Sequence, residues 1–144
     1  MDTIIAEISY ANESKKLSEV SSYFFYRYKR YKVDFSMTLF YSKELIEKKV
    51  FIDILRKSDF VMQLHKNLIC TVFDSTSQSG GFKASENLLL AYQRAYPSQK
   101  LYASFVSTFD SIDQDTMDLH LISLLNFAIE KEYAGQIIDR LDDF

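Results

Sequence analysis

Residues 56–73 read RKSDFVMQLHKNLICTVF and carry the clearest structural signal of the chain. Two short apolar runs, 60–64 and 68–73, flank the polar triplet HKN at 65–67. Apolar runs of this length on either side of a short polar connection are typical of a β-hairpin. The tetrapeptide RKSD directly before the first run places an arginine and an aspartate three residues apart at the foot of this hairpin.

The rest of the sequence predicts helices and strands that alternate around the hairpin, from apolar residues at helical and at alternating spacings. The predicted elements are a helix over 14–31, a strand over 35–41, a helix over 44–57, the hairpin strands over 60–64 and 68–73, a loop over 74–81, a helix over 83–96 that starts near Ser85 and precedes Pro97, a strand over 101–107, a loop over 110–115 and a helix to about 132. The core order βαββαβ, with an extra helix at each end, predicts an α+β ferredoxin-like fold. We expect an antiparallel-rich sheet with helices packed mainly on one face.

Composition limits the classes of function. We expect residues 1–144 to form one domain, because this length buries a single good core. The net charge of -3 and pI near 5.4 argue against a broad nucleic-acid surface. The basic and aromatic stretch YFFYRYKRYK (23–32) is an RNA-binding alternative, but we interpret it as a helix with aromatic residues inward and cations outward. No apolar run is long enough for a membrane span, so we expect a cytoplasmic protein without membrane contact, and the lone Cys70 is interpreted as buried and inert.

The order of elements and several local strings resemble the GGDEF domain, the diguanylate cyclase family that condenses two GTP molecules into cyclic di-GMP. The resemblance covers about residues 20–135. The stretch RYKRYKVDFSMTLF (27–40) is similar to the family's helix end and first strand. In the family an Arg-x-x-Asp stands five residues before the signature Gly-Gly-Asp-Glu-Phe turn. Arg56 and Asp59 occupy that pair, and HKNLI (65–69) stands where the signature belongs.

The departures from the family pattern imply a domain that is not an enzyme. Tyr41 stands where the family has its metal-binding aspartate, and Lys43 follows it, although cyclisation needs a divalent metal held by carboxylates. Only 14 residues separate Tyr41 from Arg56, roughly half of what the family uses. The residues in the place of the signature are His65, Lys66, Asn67, Leu68 and Ile69, which include no carboxylate. We therefore expect no cyclase activity, no metal and no cofactor.

The Arg-x-x-Asp pair nevertheless implies a ligand site. In the family this pair forms an inhibitory site for cyclic di-GMP, and a second arginine from the helix after the hairpin commonly completes it; Arg94 is the candidate here. A guanidinium can fork onto phosphate oxygens, while a carboxylate accepts from guanine. The plain alternative is a surface ion pair between Arg56 and Asp59 worth under about 1 kcal/mol.

Two functional hypotheses follow from the sequence. The first is a catalytically inactive GGDEF-like domain that acts as a cyclic di-GMP receptor through Arg56, Asp59 and Arg94. The second is a ligand-free adaptor on the same fold, which binds a protein partner or a second copy of itself. In the adaptor hypothesis, the aromatic-rich first helix supplies the docking face.

Overall fold

The computed structural model describes residues 10–109 and 113–140, with side chains from residue 14 onward. The helices are α1 (Tyr10–Tyr31), α2 (Lys48–Ile54), α3 (Gln78–Ala95) and α4 (Gln114–Glu130), and the strands are β1 (Phe35–Tyr41), β2 (Phe60–His65), β3 (Leu68–Asp74), β4 (Tyr102–Ser107) and β5 (Ile137–Ile138). The predicted helices and strands are all present within these residues, and β5 is an addition that the sequence did not predict.

The strands form one sheet in the order β2-β3-β1-β4-β5. The pairs of β1 with β3, β1 with β4 and β2 with β3 are antiparallel, and β5 adds to β4 in parallel. The first four strands have the order of a ferredoxin-like sheet, in which each split βαβ unit leaves space for a strand of the other unit. The predicted fold class is therefore confirmed, with one short strand added at an edge.

Helices cover both faces of the sheet. One face packs against α1 and α4, and the other packs against α2 and α3. Every residue of β1, β3 and β4 is buried in consequence, whereas the edge strand β2 stays half-buried. The expectation that helices lie mainly on one face is wrong, because the two terminal helices bury apolar residues such as Leu17 and Leu125 against the second face.

The aromatic residues of α1 divide between the core and the surface. Phe24 and Phe25 are buried against Phe35 at the start of β1. Tyr23, Tyr26 and Tyr31 are between 57% and 61% exposed. The interpretation of this stretch as a helix with aromatic residues inward holds for the phenylalanines and is wrong for these three tyrosines, whose rings are exposed to solvent.

The helix α2 is shorter than predicted, with seven residues instead of the expected span 44–57. Residues 42–47 are extended and bent, because their backbone groups bond to other parts of the fold rather than to one another, as described below. The apolar residues between 44 and 57 have helical spacing, but they do not all belong to one helix. Ile46 and Phe51 are both buried, but Ile46 reaches the core from the non-helical part of the segment.

The helix α3 begins within the predicted loop 74–81. Ser77 is its N-cap, and the side-chain oxygen of Ser77 accepts a hydrogen bond of 3.1 Å from the backbone nitrogen of Gly80. Ser85, predicted near the start of this helix, instead lies buried within it, with its hydroxyl 2.6 Å from that of Thr38. The glycines and serines that suggested a loop serve here as a helix cap and as a close packing surface.

The C-terminal part of the fold follows the prediction with small shifts. Asp113 caps α4 by accepting a 2.8 Å hydrogen bond from the backbone nitrogen of Thr116, and α4 ends at Glu130 rather than near 132. Residues 110–112 of the predicted loop lie outside the described residues. Cys70 is buried, as expected. In the part of the chain that the structure describes, no helix combines the length and apolar character that crossing a bilayer requires.

Candidate functional site

A tight turn between α2 and β2 holds Arg56 and Asp59 together. The backbone nitrogen of Asp59 donates to the carbonyl of Arg56 at 3.0 Å, and the backbone nitrogen of Arg56 donates to Asp59 Oδ2 at 3.0 Å. The Arg56 side chain then closes onto the carboxylate, with Nε 3.2 Å from Oδ2 and Nη2 3.0 Å from Oδ1. The predicted pair is therefore a two-pronged ion pair at the foot of the hairpin.

A second ion pair adjoins this turn at the end of β3. Arg56 Nη2 also donates to the backbone carbonyl of Asp74 at 3.4 Å. The carboxylate of Asp74 in turn pairs with the guanidinium of Arg27, which reaches it from α1. We refer to Arg27, Arg56, Asp59 and Asp74 as the arginine–aspartate site. Its hydrogen bonds raise the pKa of both guanidiniums, chiefly through Asp59 for Arg56 and through Asp74 for Arg27.

Sequence reasoning missed Arg27 and Asp74 as members of this site. The two residues are 47 positions apart, and no local motif joins them. The available signals were weak: Asp74 directly follows the apolar run of the second hairpin strand, and Arg27 lies on the polar side of the first helix. Only the docking of α1 across the sheet brings these two side chains together.

Arg94 does not join the arginine–aspartate site. It is exposed in the last turn of α3, whereas Asp74 lies just before the first turn of the same helix. The sixteen residue steps from Gln78 to Arg94 correspond to a rise of roughly 24 Å along the helix axis. The structure therefore brings Arg56 and Asp59 together and leaves Arg94 at the opposite end of the sheet.

The opposite end of the sheet carries the hairpin tip, which stands where the resemblance places the GTP-binding turn. The turn is closed by Lys66 and Asn67, and the backbone nitrogen of Asn67 donates to His65 Nδ1 at 3.3 Å. Leu68 and Ile69 are buried, so their side chains point into the two cores rather than toward a ligand. The tip is a compact turn with no carboxylate on it.

Residues 42–47, which we name the strap, lie directly over this hairpin tip. The Ser42 nitrogen donates to the Asn67 carbonyl at 3.1 Å, and Asn67 Nδ2 donates back to the Ser42 carbonyl at 2.9 Å. Farther along, the Ile46 nitrogen donates to the Lys66 carbonyl at 2.9 Å. The strap therefore fills the space between the end of β1 and the hairpin.

Side chains from α3 and the following loop hold the other side of the strap. The Glu47 nitrogen donates to the Tyr92 hydroxyl at 2.9 Å, and that hydroxyl donates to Gln99 Oε1 at 3.1 Å. Gln99 Nε2 then donates to the carbonyl of Leu45 at 3.0 Å. These three bonds form a continuous chain in which the side chains of Tyr92 and Gln99 each find partners. The chain holds the strap against the sheet.

The residues at this end do not fit the divalent metal that the resemblance to cyclases implies. Tyr41 is 1% exposed and its ring lies 6.4 Å from that of Tyr102, so its side chain packs in the core. Lys43 is exposed at this end of the sheet and adds positive charge, whereas a bound divalent cation needs oxygen ligands and negative charge. Among residues 10–109 and 113–140, no three His, Cys, Asp or Glu side chains lie close enough together to hold a metal ion.

Comparison with solved structures identifies the fold. The GGDEF domain of PA1120 from Pseudomonas aeruginosa superposes with a TM-score of 0.71 at 14% identity, over 90% of each chain. The GGDEF domain of DgcB from Caulobacter crescentus, solved in complex with cyclic di-GMP, gives 0.64 at 6% identity over 87% of this chain and 88% of that one. An active GGEEF domain of a Vibrio cholerae diguanylate cyclase gives 0.64 at 12% identity over 88% and 96%.

The chain therefore has the fold of GGDEF domains, over nearly its whole length. No protein-family model and no curated protein match the sequence. At identities of 6–14%, these comparisons show the arrangement of the backbone alone.

Proposed function

We propose that this chain is a catalytically inactive GGDEF-like signalling domain that binds cyclic di-GMP through Arg56. The observation that carries the proposal is the Arg56–Asp59 pair, which lies at the foot of the hairpin with the Arg56 side chain 58% exposed. An exposed guanidinium can fork onto the phosphate oxygens of a ligand or stack on a purine ring. DgcB, which has the same fold, binds cyclic di-GMP in its solved structure.

The inactivity is part of the same proposal. A cyclase must hold a metal-bound triphosphate at its hairpin tip, and phosphoryl transfer depends on the charge that the metal neutralises. In this chain the strap lies over the hairpin tip. Buried Tyr41 stands where the resemblance implies a metal-binding aspartate, and Lys43 follows it two residues later. Formation of cyclic di-GMP from GTP and Mg²⁺ by the purified protein would contradict this part of the proposal.

Isothermal titration of cyclic di-GMP tests the receptor role. We expect the wild-type protein to bind with a Kd of about 1 µM, which corresponds to about -8 kcal/mol. The Arg56→Ala variant should bind at least about tenfold more weakly, because it loses the exposed guanidinium. Lys57→Ala is the matched control, since it removes an exposed cation from the same turn and should change the Kd by less than about threefold. Absence of heat at about 100 µM ligand would overturn the receptor role.

The adaptor role is the second candidate, favoured by the surface of α1. Tyr23, Tyr26 and Tyr31 are exposed beside the exposed cations Lys29 and Arg30, and the Arg30 guanidinium lies 5.6 Å from the centre of the Tyr31 ring. Tyrosine and arginine are the side chains most enriched at the energetic centres of protein interfaces. The cations around the tyrosines select an acidic surface on a partner protein.

The double variant Tyr23→Ser/Tyr26→Ser tests the adaptor role. We expect a partner captured from native lysate by the wild-type protein to be lost with this variant, with affinity reduced by at least about tenfold. The Arg94→Ala variant should retain the same partner, because Arg94 is exposed on α3, which covers the other face of the sheet. A partner that binds the double tyrosine variant as well as wild type would rule out this face as the docking surface.

A further inference from the structure

The strand β2 forms one edge of the sheet and, among the described strands, pairs with β3 alone. Hydrogen bonds at the two ends of the β1–β3 ladder determine which backbone groups of β2 point outward. The Ser42 nitrogen donates to the Asn67 carbonyl, and the Ser75 nitrogen donates to the Asp34 carbonyl. Because successive residues of an antiparallel strand turn their backbone groups alternately to either side, the even-numbered residues of β3 turn theirs toward β2.

The backbone groups of Val61 and Gln63 point away from the sheet. Met62 lies opposite Cys70, so Met62 bonds to β3 and its two neighbours in β2 turn their N–H and C=O groups outward. Within residues 10–109 and 113–140, no other backbone group bonds to these four groups. The outer side of β2 is therefore open to pairing with another strand.

The edge is blocked at its hairpin end only. The pairing of β2 with β3 shifts register between Gln63 and His65, and Lys16 Nζ donates to the Leu64 carbonyl at 3.1 Å. A register shift and a lysine are two of the means by which proteins prevent pairing at an edge strand. Residues 60–63, FVMQ, carry no charge and no proline. The open part of the edge thus lacks these protections.

An apolar groove of about 340 Å³ adjoins this open edge, between α1 and β2. Its lining residues are Val20, Tyr23, Phe24, Phe60 and Met62, together with Glu19. A strand that bonds to β2 would therefore have an apolar surface beside it on which to bury side chains. Backbone bonds at a sheet edge combined with an adjoining apolar groove are the elements of recognition by strand addition.

The outward groups of β2 are complementary to those of a second copy of the same strand. Two β2 strands that meet antiparallel about a two-fold axis at Met62 place Val61 of one copy opposite Gln63 of the other. Residues opposed in this way exchange two hydrogen bonds, one in each direction. The two symmetric pairs then satisfy every outward N–H and C=O group of these residues in both copies.

The side chains beside the edge fit the same axis. The helix α1 runs antiparallel to β2, since Lys16 bonds to Leu64 whereas the ring of Phe24 lies 6.0 Å from that of Phe60. The axis therefore brings the Lys16 end of α1 in one copy toward the exposed ring of Tyr23 in the other. An ammonium group near the face of a phenol ring is attracted by it, and the symmetry forms this contact twice.

We infer that this chain forms a two-fold symmetric dimer through the open edge of β2, with Met62 at the axis. The two five-stranded sheets become one continuous sheet of ten strands. The inference goes beyond both proposed functions, because the pairing requires neither cyclic di-GMP nor an acidic partner. Met62 of each copy faces Met62 of the other in a pair without backbone hydrogen bonds, where side chains approach closely.

Sedimentation velocity of the full chain with charge variants at the axis tests the inference. We expect wild type to dimerise with a Kd of about 10 µM or lower. Met62→Lys and Met62→Glu should each weaken dimerisation by at least about thirtyfold, since like charges then meet at the axis. An equimolar mixture of the two variants should restore the dimer, because the ammonium group of one copy meets the carboxylate of the other.

The matched control is Leu90→Lys, which places the same charge on an exposed leucine of α3, on the face of the sheet away from α1. This variant should dimerise within about threefold of wild type. A wild-type protein that stays monomeric at about 200 µM would overturn the inference. A dimer that persists in both Met62 variants, or a mixture of the two that stays monomeric, would overturn the pairing through β2.

Amide hydrogen exchange in wild type gives a second test that needs no variant. The amide protons of Val61 and Gln63 should exchange at least about tenfold more slowly at a protein concentration well above the dimer Kd than well below it. The amide proton of Met62 already bonds to β3 and serves as the internal reference. Equal protection of Val61 and Gln63 at both concentrations would show that the open edge does not pair, and would overturn the inference.

Discussion

Replacement of Gly81 by alanine should lower the free energy of unfolding by about 2–3 kcal/mol. A Cβ atom at this position would lie 2.4 Å from the hydroxyl oxygen of Ser36 and 2.7 Å from its Cβ atom. Ser36 is fully buried in β1, between strand partners Phe73 and Ser107, so it has no room to withdraw. The helix α3 would have to shift away from the sheet, and its packing against the core would loosen.

Gly80→Ala is the matched control, because Gly80 occupies the same turn of α3 on its exposed side. There a Cβ would lie 3.1 Å from the hydroxyl oxygen of Ser77, which needs to move by only a few tenths of an ångström and can still accept the N-cap bond from the Gly80 nitrogen. Alanine favours a helix over glycine by about 1 kcal/mol, so this variant should be as stable as wild type or slightly more stable. Urea unfolding followed by circular dichroism measures both variants.

A double variant separates the contact with Ser36 from any general effect of alanine in this helix. Ser36→Gly removes both atoms that the new Cβ would strike. We expect Ser36→Gly/Gly81→Ala to be more stable than the sum of the two single changes predicts, by about 1–2 kcal/mol. Equal losses for Gly80→Ala and Gly81→Ala would contradict the contact as the cause.

The elements that the sequence predicted well are those set by local pattern. The hairpin of residues 60–73 was predicted nearly to the residue, because its apolar runs and its polar turn lie next to each other in the chain. The N-cap of α4 was likewise predicted within the aspartate-rich segment that contains Asp113. In both cases the stabilising partners are only a few residues apart.

The features that the sequence did not predict depend on residues that are distant in the chain. The strap is extended because Glu47 bonds to Tyr92, 45 positions away, and Leu45 bonds to Gln99, 54 positions away. Its apolar spacing alone favoured a helix. The start of α3 was missed because Gly81 suggests a loop until its contact with Ser36 is known.

Only part of the candidate site was predicted, because only some of its residues are close together in the chain. Arg56 and Asp59 form a local turn, so their spacing was sufficient to pair them. Arg27 and Asp74 meet only when α1 packs on the sheet, and Arg94 lies outside the site because α3 begins at Gln78 and carries it to the far end of the helix. Local sequence identified the pair, and the tertiary structure determined its neighbours.

A buried carboxylate between α1 and α4 should make the stability of this fold depend on pH. The pKa of Asp118 is raised to about 7, chiefly by burial and also by the nearby charge of Asp115, which together outweigh the lowering by hydrogen bonds from Ser21 and Gln114. The hydroxyl of Ser21 donates to Asp118 Oδ2 at 2.8 Å. Asp118 Oδ1 is buried and has no hydrogen-bond partner among the described residues, so the ionised form is poorly stabilised.

Among the residues that the structure describes, the groups that face Asp118 do not supply a compensating cation. From α1 it faces Ser21, and on its own helix it neighbours Gln114 and Asp115. From β3 it faces the buried thiol of Cys70, whose pKa is raised by burial and by the charge of Asp118. An ionised Asp118 would therefore stand among polar and acidic groups in a partly buried position.

We expect the free energy of unfolding to fall as the pH rises from about 4 to about 7. Below the unfolded-state pKa of 3.8 the carboxyl is protonated in both states and costs nothing. Between 3.8 and about 7 only the unfolded chain releases the proton, so the folded state loses stability with rising pH. The full loss is roughly 2–3 kcal/mol, after a discount for the part of the side chain that faces solvent.

Asp118→Asn should remove this pH dependence, because an amide of nearly the same shape cannot ionise. At pH 8 we expect the variant to be more stable than wild type by roughly 2 kcal/mol, and at pH 4 the two should be nearly equal. Asp115→Asn is the control, since it removes an exposed charge from the same helix and should keep most of the slope. Urea unfolding of the three proteins between pH 4 and pH 8 measures the effect. A wild-type protein whose stability rises across this range, or an asparagine variant that is less stable at pH 8, would show that Asp118 is accommodated as an anion and that α1 and α4 pack around its charge.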